Sequence, residues 1–579
     1  MIRLRSLFAI TALVLVSSAA SAAPRPDDKT GGPAIIGQGK SLNDLLDLAK
    51  SVVKNIGGDA IYKEFEKHVL PELDPKKLPG IDPKRPFGLY GVIDADLSKC
   101  RGVFLIPVTS QKDFLDMLER FDIRVNKGKE EGTFDIVVPP DFPIPVSMRV
   151  YKEYAYVALG GFDVLDPKVI LEPKEVISDK EKAAAYVALR LDRIPPDAKK
   201  LLLSSLRETM EHLKEAIPEP ELQDAYHSME KLVLRWLKTL FDEGKEVAFR
   251  LDANPKTGDL FAEVTVEGLP KSPLATEFVK RQPTKNAFAS IVGDDYAQRL
   301  FVSAPVFADE VKEAAVKLIE YGQKEAIKEA ARNAPVEVVN LVEAAFKSLK
   351  ATFESGDMDL AAALRGPNKE GFYNAVMAVH CKEGPQLEKA IKEAVKKAPN
   401  EVRDVFKFDA GKIGDLTVHE IDLTSIAEEP AKKIFGNGQK AYFAFAKDTL
   451  CASYGPDGMS LLKEALAAKA GPAPVFDSSS NGKKMSDIMK KLMPPGNNPN
   501  VQVRAGWLES ATSGIRVTVD GGDRLTVRLS FNLGMLIMGF GGWALEATPG
   551  GGAGAAPVAT PAPAPPPVKE KKTHKEPKD

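Results

Sequence analysis

The sequence predicts an α+β protein built from two tandem related units, each an antiparallel sheet with helices packed on one face, followed by a disordered C-terminal tail. Three observations lead there. Short apolar runs of strand character alternate with helical stripes along the 579 residues. Tight turns join neighbouring runs, which excludes an all-parallel sheet. The pattern that begins at Val103 returns at Val376.

The N-terminus carries the parts of an export signal. Arg3 and Arg5 form a positive n-region, Leu7 to Val16 an apolar segment too short to cross a bilayer, and Ala20-Ser21-Ala22 an A-x-A cleavage site. Residues 1–22 are expected as a cleaved signal peptide, which places the chain in the periplasm or cell envelope. Residues 23–39, rich in Gly, Pro and Asp, read as a flexible lead-in.

The first unit is expected over 40–270. Leu42, Leu45, Leu46, Ala49 and Val52 recur at helical spacing behind an S-x-x-D start at Ser41 and Asp44. Strands are expected at 88–93 and 102–108, then a helix capped by Ser110 with Phe114, Leu115, Leu118 and Phe121 on its apolar face. Further strands follow at 133–138, 146–151, 154–159 and 183–191, with a hairpin turn at Lys152-Glu153. Leu202, Leu206, Met210 and Leu213 stripe one long helix; Met229, Leu232, Trp236 and Leu240 stripe a second. Strands at 247–251 and 260–266 complete the unit.

Residues 271–355 are expected as a helical connector, striped by Val339, Val342, Phe346, Leu349 and Phe353. The second unit is expected over 356–546. Residues 103–118 align without a gap on 376–391, with Leu115 opposite Glu388 as the clear exception. Residues 150–160 align on 445–455, and the strand pair 247–266 on 515–531. Three matches in one order point to an internal duplication in which the second copy lacks the helix pair of 197–242. The apolar run Phe531 to Leu545 reads as a buried strand or short helix ending that unit. Residues 547–579 form a Pro/Ala-rich tail with Lys569, Lys571, Lys572, Lys575 and Lys578 at its end, a composition that cannot bury apolar surface.

Lys and Arg total 79 and Asp and Glu 81, a formal net charge of −2 that offers no cationic excess to neutralise phosphates, so no nucleic-acid partner is expected. Cys100, Cys381 and Cys451 are odd in number and widely spaced, which argues for small buried side chains over a disulfide framework, with a single disulfide left open. The sequence contains no G-x-S-x-G, H-E-x-x-H, Walker, G-x-G-x-x-G or C-x-x-C pattern.

The remaining chemistry-bearing residues each have a structural explanation. His380 and Cys381 would point to opposite faces of a strand. His227 falls on the polar side of its helix, and His419-Glu420 lacks a second histidine at ligand spacing. Asp294-Asp295 suits a helix N-cap. Asp252-Ala-Asn-Pro-Lys-Thr-Gly-Asp259 offers oxygen ligands for Ca²⁺, but its spacing and flanking strands favour a hairpin turn. No catalytic, cofactor-binding or metal residue is assigned, and no cofactor is expected.

Together with the signal peptide and helical lead-in, the K-x-Y-A-Y-V hairpin at Lys152–Val157 resembles bacterial exported proteins of unknown function with tandem α+β units; the likeness spans about residues 40–546. It implies no catalytic residues. In architecture alone, a curved antiparallel sheet covered by helices is similar to periplasmic lipoprotein carriers. The expected function is a non-catalytic envelope scaffold or binding protein. A carrier of an apolar ligand such as lipid is the alternative, and a hydrolase with an unrecognisable site comes third. The partners expected are a protein and, through weak electrostatic contact of the Lys-rich tail, an anionic envelope polymer or lipid headgroup.

Overall fold

A computed structural model describes residues 32–96, 100–138, 145–159, 162–215, 220–303, 309–356, 358–492 and 514–532. The expected signal peptide, the apolar run from residue 533 on and the Lys-rich tail lie outside them.

The first half runs β1 (Ile35–Gly39), α1 (Leu42–His68), α2 (Leu70–Leu73), β2 (Phe87–Val92), β3 (Arg101–Pro107), α3 (Gln111–Arg120), β4 (Val125–Lys127), β5 (Thr133–Ile136), β6 (Val146–Tyr151) and β7 (Tyr154–Leu159). It continues through α4 (Pro173–Val176), β8 (Ala185–Arg190), α5 (Pro196–Glu215), α6 (Pro220–Glu243), β9 (Gly244–Ala253) and β10 (Asp259–Gly268). After α7 (Pro273–Lys280) and β11 (Thr284–Asn286), the second half begins with β12 (Tyr296–Val302), α8 (Asp309–Asn333), α9 (Val336–Ser355), β13 (Leu360–Arg365), β14 (Asn374–His380), α10 (Gly384–Lys397) and α11 (Asn400–Arg403). It ends with β15 (Phe406–Ile413), β16 (Leu416–Asp422), α12 (Glu429–Phe435), β17 (Lys440–Ala446), β18 (Thr449–Tyr454), α13 (Gly458–Leu466), β19 (Gly471–Ala473), β20 (Phe476–Ser480), α14 (Gly482–Leu492), β21 (Arg516–Asp520) and β22 (Arg524–Asn532).

Local signals explain many of these boundaries. The Ser41 and Ser110 hydroxyls accept the amides of Asp44 and Asp113, three residues on, and so start α1 and α3. Lys152 takes a positive φ of 54° in the hairpin between β6 and β7.

Two corrections concern the linkers. Residues 35–39, expected within a flexible lead-in, form β1, which pairs with β2 on one side and β8 on the other. The glycines that look like a linker serve close packing: a Cβ on Gly37 would lie 3.1 Å from the Tyr186 carbonyl oxygen and 3.3 Å from Val187. The connector 271–355 is not all helical, because β12 lies within it and pairs with β13 and β20. Between β20 and β21, where no helix was expected, the chain forms α14, and residues 493–513 lie outside the description.

Among the described residues twenty strands form one continuous sheet, and every neighbouring pair is antiparallel. Outward from the β10–β22 seam, the first half reads β10-β9-β8-β1-β2-β3-β7-β6-β5-β4. The second reads β22-β21-β20-β12-β13-β14-β18-β17-β16-β15. The order is the same in both. β3 with α3 and β14 with α10 begin at positions that the gapless alignment of 103–118 with 376–391 also equates.

The seam pairs Glu263 directly with Arg528, two positions that the same strand order makes equivalent in the two halves. Identical residues there would set like charges opposite each other; here Arg528 Nε donates to Glu263 Oε2 at 2.7 Å. Glu263→Arg is expected to lower the melting temperature and the exchanged pair E263R/R528E to recover only part of it, because Arg250, 3.4 Å from Glu263 in the natural chain, would then face a like charge. A double-mutant cycle should give a coupling of about 0.2–1 kcal/mol, because Arg528 is well exposed.

Helices lie against both faces of the sheet rather than one. In the first half Leu105 and Tyr156 pair across β3 and β7 and pack with Val176 of α4, whereas their neighbours Ile106 and Ala155 pack with Phe114 of α3 on the other face. In the second half Ala378, Ala444 and Cys451 pack under Leu461 and Leu462 of α13. The opposite face of β17 meets α10, where Gly384 approaches the Phe445 ring.

Over the central strands the two faces differ in chemistry. Val247, Val266 and Leu525 lie beneath α6 and α7, and Ala253 and Leu260 beneath α1. Most of the residues that alternate with them are polar or charged, among them Arg250, Glu263, Thr265, Thr526, Arg528, Thr518 and Arg516.

Candidate functional site

The residues singled out by sequence fall in separate places. His380 ends β14 with its ring edge-on to Phe288, while the Cys381 thiol lies 3.2 Å from the Ser348 hydroxyl of α9. All three cysteines are buried and free, and burial pushes the Cys451 thiol up to about 12. The His227 side chain lies outside the description.

Asp294 and Asp295 precede a strand, β12, and not the helix expected from their capping chemistry; Asp295 pairs with Lys484 of α14. The 252–259 segment is a turn between β9 and β10, with Gly258 at φ 75°. Its carboxylates are engaged by protein partners: Lys40 Nζ lies 3.3 Å from Asp252, and the Thr257 hydroxyl donates to Asp259 at 2.6 Å. Glu420 accepts from Lys440 at 2.7 Å, on the strand face away from its neighbour His419.

His419 has the most unusual surroundings. It sits in β16, fully buried, between Phe408 at 5.5 Å and Phe443 at 4.9 Å between ring centroids. Its Nδ1 accepts the Asp409 backbone N–H at 3.1 Å, so the ring proton is on Nε2, which donates to Glu388 Oε1 at 3.1 Å. Glu388 and Lys392 stand one turn apart on α10, and the Lys392 ammonium reaches both Glu388 and Asp409 at 2.9 Å. Asp409 occupies a bulge in β15, between Lys407 and Gly411, with a positive φ of 54°. An aspartate held there is unusual, and the bulge turns its amide toward the ring.

The electrostatics follow from this arrangement. Burial lowers the affinity of His419 for a proton; Glu388 opposes that effect, while Lys392 adds to it. The hydrogen bond from Lys392 lowers the pKa of the exposed Asp409 carboxyl.

Glu388, Asp409 and His419 bring donor atoms within 4.8 Å of one another, close enough for a cation to be considered. The donor set does not suit one. The Nδ1 lone pair is used by an amide, Nε2 carries the proton, and an ammonium already lies between the carboxylates. The same engagement leaves the imidazole no free lone pair with which to act as a general base.

Sequence reasoning touched two members of the cluster without joining them. Glu388 was the exception in the internal alignment, and His419 was set aside for want of a second histidine. In the sheet register His419 holds the place that Phe134 holds in the first half: Phe134 pairs with Met148, and His419 with Phe443, its equivalent. Phe134 and Leu115 pack together in an apolar cluster. An apolar pair in one half is thus a titratable pair in the other. Lys392 and Asp409 carry no local sequence signal; only the strand register over 119–149 and 392–440 brings them to the ring.

A second polar constellation lies on the charged face of the central strands. Asp477 of β20, buried, accepts from Arg299 of β12 at 2.9 Å and from Arg516 of β21 at 2.9 and 3.3 Å. Arg299 also lies over the Tyr296 ring at 4.7 Å. Beside it is a cleft of about 370 Å³. Another, of about 450 Å³, lies between Asp82, Arg85, Ser110, Lys152 and Glu153. No protein-family model, curated protein or solved structure matches the chain. Among the described residues no helix is long and apolar enough to cross a membrane.

Proposed function

We propose that the protein is an exported, non-catalytic binding or scaffold protein that holds its partner on the charged face of the central strands. The observation that carries this reading is the ladder of guanidinium groups on that face, whose half-exposed ends stand above the buried Thr265, Thr518, Thr526 and Asp477. Arg516 and Arg528 are about half exposed, Phe261 stands exposed among them, and the helices that touch β9, β10 and β22 do so from the other face. Guanidinium groups held in place by Asp477, Glu181 and Glu263 are ordered before a partner arrives, which reduces the entropy lost on binding. The identical strand order of the two halves supports reading them as related units that together build this face.

Retention of the purified chain on envelope material from its host tests the reading. We expect Arg524→Gln combined with Arg528→Gln to lower retention at least about tenfold at low salt, with a loss of stability no larger than the roughly 1 kcal/mol of the Glu263–Arg528 seam pair. Equal retention by the variant and the natural chain overturns it. A carrier of an apolar ligand is the second reading, favoured by Phe249 and Val264, which are paired on the opposite face and 42% and 37% exposed.

A further inference from the structure

The cluster around His419 has the parts of a two-state element. A ring that must stay neutral to accept the Asp409 amide is held at β15, the last strand on one side of the sheet. Among the described strands β15 pairs with β16 only, and that ladder is already interrupted by the bulge at Asp409. The charged groups facing the ring come from two elements: Glu388 and Lys392 from α10, and Asp409 from β15. β17 contributes only the Phe443 ring.

A proton added at Nδ1 would set ring N–H against amide N–H. The Asp409 carboxylate, whose Oδ1 lies 3.8 Å from Nδ1, is an acceptor close to that position. To bring it in, Asp409 must turn its amide away and give up the left-handed conformation that shapes the bulge. The imidazolium would also stand beside the Lys392 ammonium, which removes part of the attraction holding Lys392 in the cluster.

We propose that Glu388, Lys392, Asp409 and His419 form an acid-sensitive latch on the sheet edge: one proton taken from solvent by His419 Nδ1 exchanges the Asp409 amide for its carboxylate and releases the β15 bulge. The first half of the chain lacks the device, since Leu115 and Phe134 fill the equivalent places with apolar packing. The latch does not depend on the charged binding face.

The sign of the effect follows from linkage. Burial holds the folded imidazole neutral below its ordinary value of 6.5, so the unfolded chain takes up the proton first. The stabilising contribution is full above about pH 6.5 and falls as the pH drops toward the folded-state value.

Amide exchange and ring NMR on the full chain, from about pH 7.5 to about pH 5, test the latch. Exchange protection of the Asp409 amide is expected to fall about tenfold as the His419 ring signals shift, with core amides unaffected. In E388L/H419F, which copies the apolar pair of the first half, the pH dependence around β15 is expected to vanish. His419→Gln, whose side-chain amide accepts and donates like the neutral ring but does not titrate, keeps the question answerable if that variant fails to fold. Asp409 protection that stays level in the natural chain, or falls equally in His419→Gln, overturns the proposal.

Discussion

Asp477→Ala is expected to lower the unfolding free energy by about 2–4 kcal/mol, somewhat below the range for breaking a fully buried pair because one of its two arginines is half exposed. The carboxylate is 2% exposed and joins three strands, accepting from Arg299 on β12 and Arg516 on β21 while its own backbone lies in β20. Without it, Arg299 loses its anionic partner in a largely buried setting, and two positive charges remain side by side. Arg516→Ala removes one exposed arm and leaves the Arg299 contact, so its cost should stay below about 1 kcal/mol. Urea unfolding of both variants measures the difference. Equal costs would show that the cluster is held by strand packing and not by the central carboxylate.

Phe114→Ala is expected to cost about 3–5 kcal/mol, with a loss of helical circular dichroism. Phe114 is 1% exposed and anchors α3 among Val108, Met117, Phe134, Met148 and Ala155. A helix of ten residues is too short to hold its shape by propensity and depends on this contact. The approach is close: a Cβ on Gly80, whose φ is +90°, would lie 2.2 Å from the Phe114 amide nitrogen. Nothing bulky can therefore move in to fill the cavity from that side. A loss near 1 kcal/mol would mean that the site collapses freely, which this backbone contact opposes.

Elements whose signals lie within a few residues were legible in the sequence. Ser110 and Asp113, Lys152-Glu153, and the stripes at 202–213 and 339–353 needed nothing from elsewhere in the chain. Asp294-Asp295 shows where such reading fails. Two adjacent carboxylates suit a helix start, yet Tyr296 to Val302 becomes a strand because β13 and β20 flank it on both sides. The candidate site was half visible. Glu388 stood out as a charge where the alignment called for leucine, but its explanation, a buried ring on β16, lies 31 residues away.

By itself the sequence determined the α+β class, those helices and strands that carry their own caps and turns, and the likeness between two stretches of the chain, because caps, turns and periodicity are local physics. The tertiary structure decided that the two halves share one sheet through Glu263 and Arg528, and that Ile35–Gly39 is a central strand. It also decided that His419 meets Glu388, Lys392 and Asp409. Each of these depends on which distant backbone satisfies a free N–H or C=O group, and on which side chain a buried polar atom finds opposite it. A glycine-rich pentapeptide or a lone histidine has no fixed meaning until that partner is in place.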